Sequence, residues 1–301
     1  MELRVGVVGL GPMGKALAGA LIAAGHDLTV WDRDTEKVAT TAMIGASTAV
    51  NARQVGSESD VVFTTLPDRD AVVQVALDAG TGILAGLNEG ALMIDMTTAD
   101  PGLAHLLGRA FSAAGRRFVD APVSGKAPRM SVLIGASRAE IDNDTASLLA
   151  DVATIVVYCG ALGHGYAAKL VNQHVKYGWY LASAEALLIA RRYGLDPATA
   201  VEAVLASSGS DRGFRDAAAY FLDDSAEIKK HANVRTIAKD MRLATELADT
   251  LDINSPTLTE LKNFFDTAVD SPYAAVPFPA SIALLEKLCV RQGATNSQEK
   301  L

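Results

Sequence analysis

Short apolar runs recur along the first third of the chain, and each is followed by a stretch whose apolar positions return every three or four residues. The run over 3–10 contains VGVVGL, and KALAGALIAAGH behind it has helical spacing. The same alternation predicts a strand over 27–31, a helix near 52–55, a strand over 60–65 and a helix from Ala71. It continues with a strand over 91–95, a helix over 101–114 and a strand over 117–119. Strands that alternate with helices build a parallel sheet covered on both faces. From about 166 to 193 the pattern becomes one long helical period, YAAKLVNQHVKYGWYLASAEALLIARRY, interrupted only by Gly178. At 1.5 Å per residue such a helix spans roughly 40 Å, enough to join two domains. Beyond it, Gly194-Leu195-Asp196-Pro197 reads as a helix stop followed by a new cap. Helical spacing then persists, with breaks at 207–213, 223–225, 254–256 and 271–279, and no strand pattern returns. The pattern divides the chain into an α/β domain over 1–162, an interdomain helix over 163–193, an all-helical domain over 194–292 and a tail over 293–301.

Composition narrows the function classes. A chain of 301 residues, half of them apolar, can bury the cores of two domains. A formal net charge of -8 argues against nucleic acid and against an anionic membrane surface. No uninterrupted apolar run approaches the roughly 18 residues a membrane helix needs, and Glu2 and Arg4 lead directly into a strand, so no leader is expected. Cys159 and Cys289 stand far apart without metal-type spacing, which suits a reduced, cytoplasmic protein. The five histidines form no HxxxH or HxxE pattern, and no metal site is expected.

The first strand runs straight into Gly9-Leu10-Gly11-Pro12-Met13-Gly14 and then a helix. In that order a GxGxxG is a Rossmann-type dinucleotide fingerprint. The first glycine makes the tight turn, the second admits a pyrophosphate and the third lets helix and strand pack closely. The second strand ends in Asp32, where a carboxylate would accept from the adenosine ribose and repel a 2′-phosphate, which favours NAD. Arg33 beside it could stack on adenine or hold a 2′-phosphate, so NADP stays possible. Leu66-Pro67 and Thr97-Thr98 lie at the carboxyl ends of later strands, where ligands of such sheets sit, and are assigned to the cofactor crevice.

Two further stretches carry chemistry. The loop Asp120-Ala121-Pro122-Val123-Ser124-Gly125-Lys126-Ala127-Pro128-Arg129 offers a serine, a glycine and two cations to a carboxylate. Gly160 and Gly163 open the long helix, whose first turns present Lys169, Asn172 and Gln173 on one face by their three- and four-residue spacing.

Together these ordered motifs resemble the β-hydroxyacid dehydrogenase family: its GLGxMG at 9–14, its DAPVSG at 120–125 and its GxxGxGxxxK at 160–169. Ser207-Ser208-Gly209 and Lys239-Asp240 look like further family elements, so the resemblance covers nearly the whole chain. It implies a Rossmann-type domain, a long interdomain helix and an all-α C-terminal domain, in a homodimer or homotetramer acting on a small anionic substrate. It further implies Lys169 as the catalytic lysine and Ser124 and Gly125 as carboxylate binders. Thr98 would lie near the nicotinamide ribose, and Lys239 would contact cofactor or substrate. Two departures stand out: Lys126 replaces the family's second glycine in a shortened loop, and Gln173 stands where many members have Asn, with Asn172 just before it.

The chemistry expected is hydride transfer between a nicotinamide and a small 3-hydroxy acid or its semialdehyde or ketone. An ammonium beside a carbonyl stabilises the developing alkoxide and donates the proton, while Asn172 or Gln173 holds the substrate oxygen and Lys126 meets an anionic group. Two other readings share the scaffold. An imine reductase commonly carries Asp or Tyr where Lys169 stands, and a non-catalytic nucleotide-binding protein has no use for the lysine or the DAPVSG loop.

Overall fold

In the computed structural model of the chain, residues 3–289 are described apart from positions 208 and 211 and the side chain of position 212. Ser208 of the Ser207-Ser208-Gly209 element and the 293–301 tail therefore lie outside the described residues. The chain divides into two units, Met1–Lys169 and Leu170–Leu301.

The first unit is built on six parallel strands: β1 (Val5–Val8), β2 (Leu28–Trp31), β3 (Ser47–Thr48), β4 (Val61–Thr64), β5 (Leu92–Asp95) and β6 (Arg117–Asp120). Their order is β3-β2-β1-β4-β5-β6, so the direction of winding reverses between β1 and β4. A ligand crevice opens at such a reversal, outside the carboxyl ends of the strands. The intervening helices are α1 (Pro12–Ala23), α2 (Thr35–Ala42), α3 (Ala52–Glu58), α4 (Arg69–Leu77), α5 (Ile83–Gly86) and α6 (Pro101–Ala113). Successive side chains of a strand point to opposite faces, and the central strands supply two cores in this way. Val5, Val7, Val61, Phe63, Leu92 and Ile94 pack with Leu17 and Leu21 of α1. Val8, Val62 and Met93 pack on the other side with Leu103, Leu107 and Phe111 of α6. Burial on both faces explains why these strands read as continuous apolar runs rather than alternating ones.

The hydrophobic pattern assigns no strand between 120 and 160, and here the structure corrects it. Val123–Ser124 is β7, paired antiparallel with β8 (Met130–Ile134), and β8 runs parallel to β9 (Ala153–Tyr158), with α7 (Asn143–Val152) between them. The polar stretch taken as a loop is thus a hairpin. Its turn is closed by the Arg129 N–H on the Lys126 carbonyl at 2.9 Å, and an arm of two residues is too short to show a period.

The long helix α8 (His164–Tyr193) continues through Gly178 without a break. It ends as expected: Gly194 has φ +100°, and the Leu195 N–H returns to the Ala190 carbonyl at 3.0 Å, one bond of the glycine-terminated motif. The second unit continues with α9 (Pro197–Leu205), α10 (Arg212–Phe221), α11 (Ser225–Ile228), α12 (Val234–Thr250), α13 (Pro256–Val269) and α14 (Ile282–Cys289), with no strand among its described residues. Its core gathers Tyr177 and Tyr180 of α8 edge-on to Phe278, with Phe264 and Phe265 of α13 alongside. The architecture is a Rossmann-type α/β domain followed by a helical one.

Candidate active site

The turn between β1 and α1 is drawn tight by atoms rather than by flexibility. Gly9 has φ +91°, donates its N–H to the Trp31 carbonyl at 3.0 Å and accepts the Thr65 hydroxyl at 2.8 Å. A Cβ on Gly14 would lie 1.8 Å from the Gly9 carbonyl oxygen, so the third glycine is what lets α1 sit against β1. Gly11 differs: nothing lies within 4 Å of where its Cβ would be. This is the open side a pyrophosphate needs. The start of α1 adds a second feature. Helices α2, α3, α4, α6 and α7 are each capped by the side chain of Asp34, Asn51, Asp68, Asp100 or Asp142, whereas α1 begins at Gly11 with no side-chain cap and no acidic residue in its first turn. Its amide groups are left for an external anion. Leu10 is fully buried and Pro12 exposed, while Met13 packs against the core.

Asp32 stands at the end of β2, and its carboxylate accepts the Leu10 N–H at 2.6 Å and the Asp34 N–H at 2.8 Å. Asp34, not Asp32, caps α2 through the N–H groups of Glu36 and Lys37. Asp32 is therefore fixed beside the glycine turn with lone pairs to spare, and Arg33 next to it is exposed. These residues fit a dinucleotide: an open turn, an uncapped helix start and an anchored carboxylate.

The two loops at the carboxyl ends of β4 and β5 are tied together. The Leu66 N–H donates to the Thr97 hydroxyl at 3.1 Å, and that hydroxyl donates to Asp95 at 2.8 Å. Pro67 is exposed and Thr98 half-buried at the same edge.

Lys169 lies in the first unit, on the second turn of α8, with 8% of its surface exposed. Its ammonium donates to the Val123 carbonyl at 2.8 Å. Val123 is the first residue of the hairpin arm, so Lys169 stands directly against the strand that continues into Ser124, Gly125 and Lys126. Gly125 has φ +88°, a backbone that suits glycine, and Ser124, Lys126 and Arg129 are exposed on the same hairpin.

Asn172 and Gln173 belong to the second unit and face different surroundings there. Gln173 is buried, and its amide donates to Asp240 at 2.5 Å. The exposed Asn172 donates to the Gln173 oxygen at 3.4 Å. Lys239, on α12, lies 3.4 Å from the other oxygen of Asp240.

Two buried acids escaped the sequence reading. Asp95 and Asp120 end β5 and β6, and both are fully buried. Asp95 accepts the hydroxyls of Thr64, Thr97 and Tyr166; Asp120 accepts the N–H groups of Gly163 and Tyr166, each at 2.8 Å. Burial pushes both carboxyl groups above the ordinary aspartate value, against the pull of those donors. Burial also raises the Tyr166 phenol, reinforced by the charge of Asp95. An acid closing an otherwise apolar strand is the signal each left in the sequence.

The chain is similar to known dehydrogenases over most of its length. The sequence profile of the NAD binding domain of 6-phosphogluconate dehydrogenase matches residues 4–163, and that of the NAD-binding region of NADP-dependent 3-hydroxyisobutyrate dehydrogenase matches 163–284. A probable 3-hydroxyisobutyrate dehydrogenase-like protein of Arabidopsis thaliana mitochondria is 35% identical over 209 residues, 67% of this chain. The match spans 61% of that relative, less than two thirds of its length. The 2-(hydroxymethyl)glutarate dehydrogenase of Eubacterium barkeri is 31% identical over 214 residues, 69% of this chain and 70% of its own. In fold, a 3-hydroxyisobutyrate dehydrogenase of Mycobacterium tuberculosis solved with L-serine superposes with a TM-score of 0.85, covering 95% of this chain and 99% of its own at 24% identity. Residues 4–163 thus form an NAD(P)-binding domain, and the chain belongs to the β-hydroxyacid dehydrogenase family.

Proposed function

We propose that this chain is an NAD-dependent dehydrogenase that interconverts a small 3-hydroxy acid and its semialdehyde or ketone, with Lys169 as general acid and base. The observation that carries the reading is the buried Lys169 ammonium held by Val123 O beside Ser124 and Gly125. When bound, the dinucleotide supplies or takes up a hydride. Lys169 holds a proton where an alkoxide develops, in a water-poor setting where one ammonium counts for more than in bulk water. Ser124 and the Gly125 backbone are placed to hold the substrate carboxylate, and Lys126 at the hairpin turn a further anionic group. Asn172 or Gln173 is the amide proposed for the substrate oxygen; Gln173 donates to Asp240 and Asn172 to Gln173. Asp32 favours NAD, because a 2′-phosphate would meet its negative charge. A lysine at 169 in place of Asp or Tyr speaks against the imine reductase reading.

A homodimer is the assembly we infer, and the exposed face of α8 in the second unit supports it. Val171, Val175, Trp179, Ile189 and Tyr193 are exposed and recur at helical spacing, Trp179 by 52% and Tyr193 by 78%. The small Ala182 and Ala186 lie between them on the same face. An apolar stripe of this length marks an interaction surface, and small residues at its centre suit the close crossing of two like helices. We assign it to a second copy of the chain. A cytoplasmic location suits its two free cysteines, and no described helix is long and apolar enough to cross a membrane.

The test is NADH- and NADPH-linked turnover over a panel of 3-hydroxy acids, semialdehydes and cyclic imines, with Lys169→Ala beside the wild type. Lysine-dependent turnover of a hydroxy acid or semialdehyde supports the reading. Turnover confined to imines, or unchanged in Lys169→Ala, overturns it.

A further inference from the structure

Tyr166 is fully buried and precedes Lys169 by three residues, so the two lie on one face of α8. It binds two acids at once: its phenol donates to Asp95 and its backbone N–H to Asp120. These acids are themselves neighbours, because Asp95 and Asp120 are register partners on β5 and β6, and Thr64 pairs in register with Asp95 on the other side. The Thr64 and Thr97 hydroxyls complete the shell of Asp95, and Thr97 in turn accepts from Leu66. Asp120 takes the N–H of Gly163, just before the helix, and that of Tyr166 in its unsatisfied first turn.

The same stretch of chain touches α8 at two levels. The Asp120 carboxylate holds its first turn, and three residues later the Val123 carbonyl receives Lys169. The packing leaves no slack between them. A Cβ on Gly165 would come within 2.8 Å of the Asp120 carboxylate and 2.4 Å of the Leu133 carbonyl, and one on Gly135 within 2.1 Å of Asp120. Two points fixed roughly one helical turn apart define both the height and the rotation of the helix at Lys169.

We propose that Asp95 and Asp120 are positioning residues for Lys169, acting through Tyr166 to lock the first turns of α8 onto the carboxyl ends of β5 and β6. The register of two adjacent strands then sets where the ammonium stands. The inference rests on the reading of Lys169 as the proton donor, but it has a readout of its own.

That readout is the reactivity of the Lys169 amine toward reductive methylation by formaldehyde and cyanoborohydride in the protein without cofactor, followed by mass spectrometry against the exposed Lys15. Tyr166→Phe keeps the ring and removes one hydroxyl, and Asp120→Asn replaces one carboxylate oxygen by a donor facing a donor. In each, Lys169 labelling is expected to rise at least threefold relative to Lys15, and kcat to fall about tenfold with less than threefold change in NADH Kd. A purely structural role would lower Tm while leaving labelling and kcat unchanged below it, and that result overturns the proposal. Should Asp120→Asn not fold, Tyr166→Phe decides. If Lys169→Ala keeps wild-type turnover, the assignment of the proton donor fails and the labelling ratio alone decides the positioning.

Discussion

Asp95 and Asp120 sit side by side at the carboxyl edge of the parallel sheet, and Tyr166 is the residue that joins them, through its phenol to one and its backbone to the other. Two buried carboxyl groups so close together give stability a definite pH dependence. Burial raises the folded-state pKa of each above its ordinary value. For such a group the stabilising contribution is fully present below the unfolded pKa and is lost as pH rises through the folded one, at about 1.4 kcal/mol for every tenfold difference between the two dissociation constants. Asp95→Asn removes that titration and leaves a roughly pH-independent loss of about 1–3 kcal/mol from mispaired donors. The Tm deficit of Asp95→Asn relative to the wild type is therefore expected to be smaller at pH 8 than at pH 5. A deficit that stays constant or grows with pH shows that Asp95 carries no destabilising charge.

The glycine turn separates folding from binding. Gly14→Ala drives a methyl group into the Gly9 carbonyl, and should cost about 3 kcal/mol or more. Gly11→Ala meets no protein atom, so urea unfolding should be nearly unchanged while NADH Kd rises about tenfold. Equal unfolding midpoints for the two variants would refute this division.

If Asp32 faces the adenosine ribose, cofactor choice should depend on it. The wild type is expected to bind NADH more tightly than NADPH, and Asp32→Asn to narrow the ratio about tenfold, or about 1.4 kcal/mol. Fluorescence titration of both dinucleotides measures it. A wild type that prefers NADPH reassigns Asp32 to holding the turn through Leu10 and Asp34 alone.

Lys126 is exposed on the hairpin that begins at Val123. If it meets an anionic group of the substrate, Lys126→Gly should raise KM about tenfold and move kcat far less. An unchanged KM makes it a solvated turn residue.

The apolar face of α8 yields a mass measurement. Trp179→Glu combined with Ile189→Glu places two charges in the stripe and should convert a dimer to a monomer in sedimentation velocity. A wild type that sediments as a monomer removes the face from consideration as a self-interface.

Much of this was legible in the chain before any coordinate. The fingerprint at 9–14 could be read because strand, turn and helix are contiguous. Lys169 stood out for a similar reason, as a cation three and four residues from two amides on one helical face. What stayed hidden depends on register and distance along the chain. Tyr166 reaches Asp95 across 71 positions, and Gln173 reaches Asp240 across 67. The first arm of the hairpin hid for the opposite reason, since a two-residue strand has no period to detect. Gln173 and Asn172 read as equals in sequence, and the buried Asp240, which accepts from Gln173, gives them different surroundings.

The first helix has a consequence for the life of the protein as a whole. Helices α2, α3, α4, α6 and α7 carry their own capping oxygen, while α1 begins at Gly11 without one, and a bound dinucleotide would supply its first-turn partners. A cofactor held there would also be a folding ligand, because it would bind the native chain and not the unfolded one. Its concentration enters stability as RT ln(1 + [L]/Kd), about 2.7 kcal/mol at a hundredfold excess over Kd. A larger dinucleotide pool would then leave fewer chains open to unfolding and proteolysis, and those protected would be the ones already equipped to turn over.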